Sequence, residues 1–200
     1  MPTGFAYKLI NKWSAAKTAV FPDFNLSNLP PHQKLLLLSD GSLTLELEIL
    51  TNDKIRAEII RTGTGKIEKQ DAGYLEVESS CLALKRTVWL IASGKRLVYA
   101  HTVIPLSRID AGVLEAMEKN PEEPLGRVFL EKGVFFLKDK LEIAAIECAE
   151  AATGLGLKKT TRLFARRCIL TNKTNGGEWL IKAAVIEVFS PDIVPCGIRP

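Results

Sequence analysis

A chain of 200 residues, 46% apolar and 25% charged, has the composition of an ordinary folded domain, long enough to bury roughly 70% of its accessible surface. Its net charge of +4 comes from 27 basic and 23 acidic residues spread along the chain, too mild a balance for a nucleic-acid surface and compatible with a small anionic ligand. Cys81, Cys148, Cys168 and Cys196 form no C-x-x-C pair and stand far from His32 and His101, which argues against a metal site and a disulfide framework and for reduced thiols in a cytosol-like compartment.

The opening "MPTGFAYKLINKW" has no signal-peptide pattern, and a run such as "LLLL" at 35–38 is far too short to span a bilayer. Residues 1–29 read as an N-terminal arm with one helix at most. "PPHQKLLLLS" reads as a short helix entered through prolines. "LTLELEIL" alternates strictly, Leu43, Leu45, Leu47 and Ile49 against Thr44, Glu46 and Glu48, and predicts a half-buried strand. "TND" turns it into a second strand, 54–61, completing a hairpin. The polar stretch that follows, to residue 79, is partly loop. Its Gly-Thr-Gly-Lys lacks the spacing of a phosphate loop.

Two apolar runs around Ser93-Gly94 predict a hairpin over 82–104. Asp110 caps a helix over "AGVLEAMEKN", "PEEPLGRVF" is a turn, and "KDKLEIAAIECAEAATGLG" carries a helical stripe of Leu141, Ala144, Ala145 and Cys148. Two last strands, about 162–171 and 178–189, flank a Gly-rich link. The expected class is α+β: a single antiparallel sheet of about six strands with helices on one side. The expected division is an arm at 1–29, a domain at 30–191 and a tail at 192–200.

Two charges sit on the wrong face of this pattern. Arg86 shares its parity with Leu82, Leu84, Val88 and Leu90, and Glu187 with Trp179, Ile181, Ala183, Val185 and Phe189. Burying either alone costs several kcal/mol, on the order of the desolvation of an ion. Three explanations fit: the two pair with each other, a bulge returns one of them to solvent, or both face a pocket. In a pocket, an arginine fork suits a ligand carboxylate, and a carboxyl in apolar surroundings suits a general acid.

The hairpin from Arg86 through "TVWLIASGKRLVYAHTVIP", the "EPLGRVF" turn, "AAVIEVFSP" and "LSDGSLTLELE" together resemble the chorismate lyase family over residues 35–191, closest to its cyanobacterial, plastid and actinobacterial branch. The resemblance implies a sheet with helical flaps closing over a buried pocket, a fold shared with the effector-binding (UTRA) domains of transcription regulators. It implies that Arg86 grips the ring carboxylate of chorismate, that Glu187 is the acid, and that Leu43 and the Leu125-Gly126 backbone contact the ligand. The reaction releases pyruvate and leaves 4-hydroxybenzoate for quinone (plastoquinone) or phenolic biosynthesis, with no cofactor and no metal. The expected protein is a cytoplasmic monomer, or one of the plastid stroma if plastid-encoded, acting on a small molecule without nucleic-acid or membrane partners.

For the substrate's second carboxylate the neighbours Arg166 and Arg167 are candidates. Their opposite parity allows only one to face the pocket, and Arg167, with Leu163, Ala165 and Ile169, is the preferred one. His101 reads as a satisfied core residue, His32 as exposed, Trp89 as lying on the face opposite Arg86, packed under helices or on the outer surface, and the cysteines as packing residues. A non-catalytic small-acid-binding module is the alternative to an enzyme.

Overall fold

The computed structural model describes residues 5–16, 26, 29–177 and 179–196. Two short strands, β1 (Lys8–Leu9) and β2 (Ser14–Ala15), precede six long ones: β3 (Arg56–Lys66), β4 (Leu82–Ala92), β5 (Lys95–Pro105), β6 (Leu137–Glu147), β7 (Arg162–Lys173) and β8 (Trp179–Phe189). All pair antiparallel in one sheet of order β1-β6-β7-β8-β5-β4-β3, with β2 also on β6. Residues 5–16 of the predicted arm are thus not helical: they cap the β6 edge of the sheet, while Leu26 lies in a 3-10 turn. Residues 1–4, 17–25, 27 and 28 of that arm, and residues 197–200 of the predicted tail, lie outside the described residues.

The β4–β5 hairpin forms as the pattern predicts. Ser93 and Gly94 both take positive φ, 50° and 73°, the turn whose twist matches a two-residue hairpin. Helix α1 (Pro31–Leu38) also forms as expected. The "LTLELEIL" stretch does not form a strand. It is helix α2 (Leu43–Thr51), opened by the Ser42 hydroxyl, which accepts from the Leu45 amide, and closed by Asn52 in the left-handed region. Leucine and glutamate are strong helix formers, and burying Leu43 and Leu47, four apart, while Leu45 and Ile49 stay exposed satisfies the packing that alternation only mimicked. The predicted 43–61 hairpin is therefore absent; β3 instead pairs with β4 through a bulge near Ile59 and Arg61.

Helix α3 (Lys69–Leu75) occupies the stretch read as loop. Helix α4 (Ala111–Lys119) is capped by Asp110, whose Oδ1 accepts from the Gly112 and Val113 amides at 2.8 and 3.1 Å. After a turn at Pro121–Glu123, helix α5 (Leu125–Glu131) starts behind Pro124. The predicted long helix at 138–156 is β6 followed by the short α6 (Ala149–Gly154). Ile143, Ala144 and Ile146 are all fully buried, so β6 is covered on both faces, and such a strand reads as an apolar run rather than an alternation.

Helices lie on both faces, not one. On the first face, α1 and α2 pack over Val88, Leu90 and Val98, and α4 and α5 over Ile104, Leu170 and Val185. On the second, α6 covers Trp89, Tyr99, Leu163 and Val188, and α3 covers Ala83, Val103 and Ile169. Among the described residues, no helix is long and apolar enough to cross a membrane. All four cysteines are free; Cys148 and Cys168 are buried, Cys81 and Cys196 half-buried.

Trp89 lies on the face opposite Arg86, as its parity predicts, packs beneath α6 rather than on the outer surface, and leaves no room at Gly154: a Cβ there would stand 2.6 Å from Trp89 Cζ2. Gly154→Ala should lower stability by about 1–3 kcal/mol, read as a fall in Tm. His101 lies on this second face, its Nδ1 2.8 Å from the Thr87 hydroxyl and its ring stacked on Phe5. Burial, with Arg61 and Lys85 nearby, pushes its pKa down to about 4. The unfolded chain therefore binds a proton near pH 6.5 that the folded chain refuses until about pH 4, so stability is lost as pH falls through that window, by up to ~3 kcal/mol. His101→Asn should flatten the stability difference between pH 7 and pH 4.5.

Candidate active site

The register of the sheet sets the site's geometry. Arg86, Thr102, Val185 and Cys168 lie in one row across β4, β5, β8 and β7. Val88, Ala100, Glu187 and Arg166 form the next row. All these side chains share the first face. Above them, the N-termini of α2 and α5 close a chamber of about 60 Å³ lined by Arg86, Glu187, Leu43, Thr44, Leu125 and Gly126, with Lys138 at its far side. That volume holds a few waters. A vestibule of about 300 Å³ lies outside it and shares Thr44, Gly126 and Phe136 as common wall. A ring-sized ligand therefore needs α2 and α5 to part. Arg127 clasps them, bonding both Glu48 on α2 and Glu123 before α5.

Arg86 and Glu187 do not pair with each other. Arg86 is 8% exposed, and its Nη2 donates to the Pro121 and Glu123 carbonyls at 2.6 and 3.0 Å, so the turn before α5 anchors one edge of the guanidinium. Its Nε and Nη1 make no hydrogen bond among the described residues. Burial lowers its pKa, and the carbonyls that bind it carry no formal charge to offset that burial. Glu187 Oε2 accepts from Nε of Arg166, whose side chain is fully buried. Nη1 of Arg166 goes on to the Leu36 carbonyl at 2.5 Å and the Ser39 carbonyl at 3.3 Å, at the C-terminus of α1, while its Nη2 finds no partner among the described residues. Glu187 is the one carboxyl among the described residues that line the chamber.

Leu43 and Leu125 are the first residues of α2 and α5, positions whose backbone N–H groups have no partner inside the helix. Both residues line the chamber, one from each helix. Gly126 sits where a side chain would reach the Ser42 and Thr44 hydroxyls, 3.5 Å from a Cβ.

Arg167 is not part of the chamber. It projects from the second face, bonds Glu142 at 2.8 Å and lies between the rings of Trp13 and Tyr74, 4.6 and 4.3 Å from their centroids. Because β7 is buried on both faces, apolar neighbours mark either one and parity does not single out Arg167; Arg166 is the residue on the pocket side. Sequence reasoning also missed Lys138, assigned to a helix. Cys168 lines the chamber, but burial pushes its thiol up to about 12, leaving it without nucleophilic character. A broader open cleft of about 740 Å³ beside Trp179 is lined by groups that already partner one another, such as Lys140 with Glu76. No metal-ligand cluster occurs among the described residues.

Removing one member of the buried pair strands the other. Arg166→Met should therefore cost about 3–5 kcal/mol of stability, measured by denaturant unfolding, whereas Arg167→Met on the second face should cost less than about 2 kcal/mol.

Known proteins agree with this architecture. A family model described as "Chorismate pyruvate-lyase Rv2949c-like" matches residues 37–195. A Pseudomonas putida protein bearing the name "Probable chorismate pyruvate-lyase" is 27% identical over 158 residues, 78% of this chain and 79% of that one. Among solved structures, PhnF from Mycobacterium smegmatis superposes with a TM-score of 0.59 at 19% identity, over 78% of this chain and 66% of that one. Its isolated effector domain gives 0.58 at 18% identity, over 78% and 91%. Likeness at that identity speaks for the fold alone, an antiparallel sheet with helices of the effector-domain type. The family model, by contrast, spans the six long strands and the α2 and α5 positions that close the chamber, and the chain belongs to the Rv2949c-like chorismate pyruvate-lyase family.

Proposed function

We propose that this protein eliminates pyruvate from chorismate to give 4-hydroxybenzoate. One observation carries the reading: Arg86 and Glu187, both on the buried face, open into one closed chamber beside Leu43 and Leu125, the first residues of α2 and α5. Chorismate carries an enolpyruvyl ether next to a ring carbon bearing hydrogen and hydroxyl. Breaking the ether bond and losing that hydrogen as a proton makes the ring aromatic, which supplies the driving force. The reading calls for no metal and no cofactor.

The ring carboxylate docks on the free edge of Arg86 and accepts from the Leu43 and Leu125 amides. These three groups, held by a turn and two helices, orient the ring without further reorganisation. Glu187, held from behind by Arg166, takes up the proton that the ring carbon gives up and delivers it to the departing enolpyruvyl group, which leaves as pyruvate, so the proton lost by the ring is the one gained by the product. Closure of α2 and α5 excludes water while the C–O bond breaks. The product serves quinone or phenolic biosynthesis, and the protein acts as a monomer in the cytoplasm or plastid stroma. A second reading, a small-acid-binding module without turnover, draws support from the effector-domain fold.

Purified protein incubated with chorismate, without added metal, separates the two. Equimolar 4-hydroxybenzoate and pyruvate are expected, with kcat lowered about 10²–10⁴-fold in Glu187→Gln. Arg86→Ala should chiefly raise KM and weaken 4-hydroxybenzoate. Tight binding of chorismate without product would favour the module. Undiminished turnover by Glu187→Gln would remove Glu187 from the chemistry.

A further inference from the structure

Lys138 is the charge in the chamber that no hydrogen bond or ion pair among the described residues meets. Its Nζ is buried and makes no hydrogen bond among the described residues, although lysine has three donors to satisfy. A buried, unpaired ammonium is costly, and native proteins rarely keep one without use. Its pKa is lowered, first by burial and then by Arg166, so the folded protein without ligand works against the charge.

The backbone goes out of its way to aim Lys138 inward. Ile143 and Ala145 of β6 lie opposite Arg166 and Phe164, on the first face. Strict alternation from them would turn Leu137 and Asp139 inward and Lys138 to the other face. A bulge intervenes: four residues of β6, from Asp139 to Glu142, oppose three of β7, from Ile169 to Arg167. Lys140, within it, holds φ of +50°, an uncommon conformation for a residue with a side chain. The extra residue reverses the parity, so Lys138 lies opposite Leu170 and faces the chamber while Leu137 is exposed.

Charge counting points the same way. Arg86, Lys138 and Arg166 contribute three positive charges, and Glu187 and Glu46, which both act on Lys138 and Arg166, two negative, a net of +1 around the chamber and its wall. Arg86 on β4 and Lys138 on β6 stand four strand spacings apart, roughly 19 Å of backbone, and reach inward from opposite sides. The arrangement suits a ligand with two separated anionic groups.

We propose that Lys138 binds the second carboxylate of a dianionic substrate, the one on the side chain that leaves, while Arg86 holds the ring carboxylate. The assignment of the two carboxylates rests on the lyase reading. It makes Lys138 a discriminator: 4-hydroxybenzoate has a single carboxylate and leaves the ammonium unpaired again, so the site favours substrate over product.

Lys138→Met and Lys138→Arg test this in the full chain. Lys138→Met should raise KM for chorismate about 100-fold while the inhibition constant of 4-hydroxybenzoate changes less than about threefold, and Lys138→Arg should restore part of the loss. Without ligand, Lys138→Met should raise Tm, because it removes an unpaired charge, so misfolding is not the expected failure. An unchanged KM in Lys138→Met overturns the proposal, as does an equal loss for chorismate and 4-hydroxybenzoate. If the native protein shows no turnover, the lyase reading fails by itself; calorimetric Kd values for chorismate and 4-hydroxybenzoate then test Lys138 alone, with preference for the dianion lost in Lys138→Met supporting it and retained preference overturning it.

Discussion

Arg166 has no exposed surface, so its charge must be met from within, and the way it is met organises the site. Its Nε binds Glu187 on the neighbouring strand β8, and its Nη1 binds carbonyls at the end of α1. One side chain thus ties the sheet to the segment that leads into α2 and holds the chamber's carboxyl in place. Ion pairs of this kind add little net stability compared with apolar packing, because desolvation offsets much of the Coulomb attraction. What the pair supplies is position: Glu187 is oriented by a group that cannot move without unpicking the core.

A second constraint works through the flaps. The turn before α5 binds Arg86 by two carbonyls, and α5 starts immediately after it. Arg86 and the Leu125 amide are therefore set by one short segment, and α2 brings the Leu43 amide from the opposite side. The chamber closes where these helix ends meet, under the Arg127 clasp. Recognition and closure share parts, so a ligand that fills the chamber also stabilises the closed arrangement.

Much of this was legible in the sequence where one face of a strand dominates. The parity of β4 and β8 exposed Arg86 and Glu187 as charges on a buried face, and the resemblance to the lyase family pointed to Leu43, Leu125 and Gly126. Leu43 reached the chamber by a different route from the expected one, as the first residue of a helix rather than a strand residue. Where both faces of a strand are buried, its pattern no longer tells them apart. On β7 apolar neighbours flank Arg166 and Arg167 alike, so parity could not choose between them. On β6 the doubly buried run imitated a helix, and the bulge that turns Lys138 inward leaves no periodic trace. These are tertiary effects: they depend on which layers cover the sheet, and a single strand's pattern does not carry that information.

The most direct measurement is a crystal structure with 4-hydroxybenzoate bound. The account predicts the ligand inside the inner chamber, its carboxylate on Arg86 Nε or Nη1 and the Leu43 and Leu125 amides, its hydroxyl toward Glu187, and Lys138 without a ligand oxygen. A ligand seated only in the vestibule, or one whose carboxylate binds Lys138 with Arg86 left empty, would contradict it.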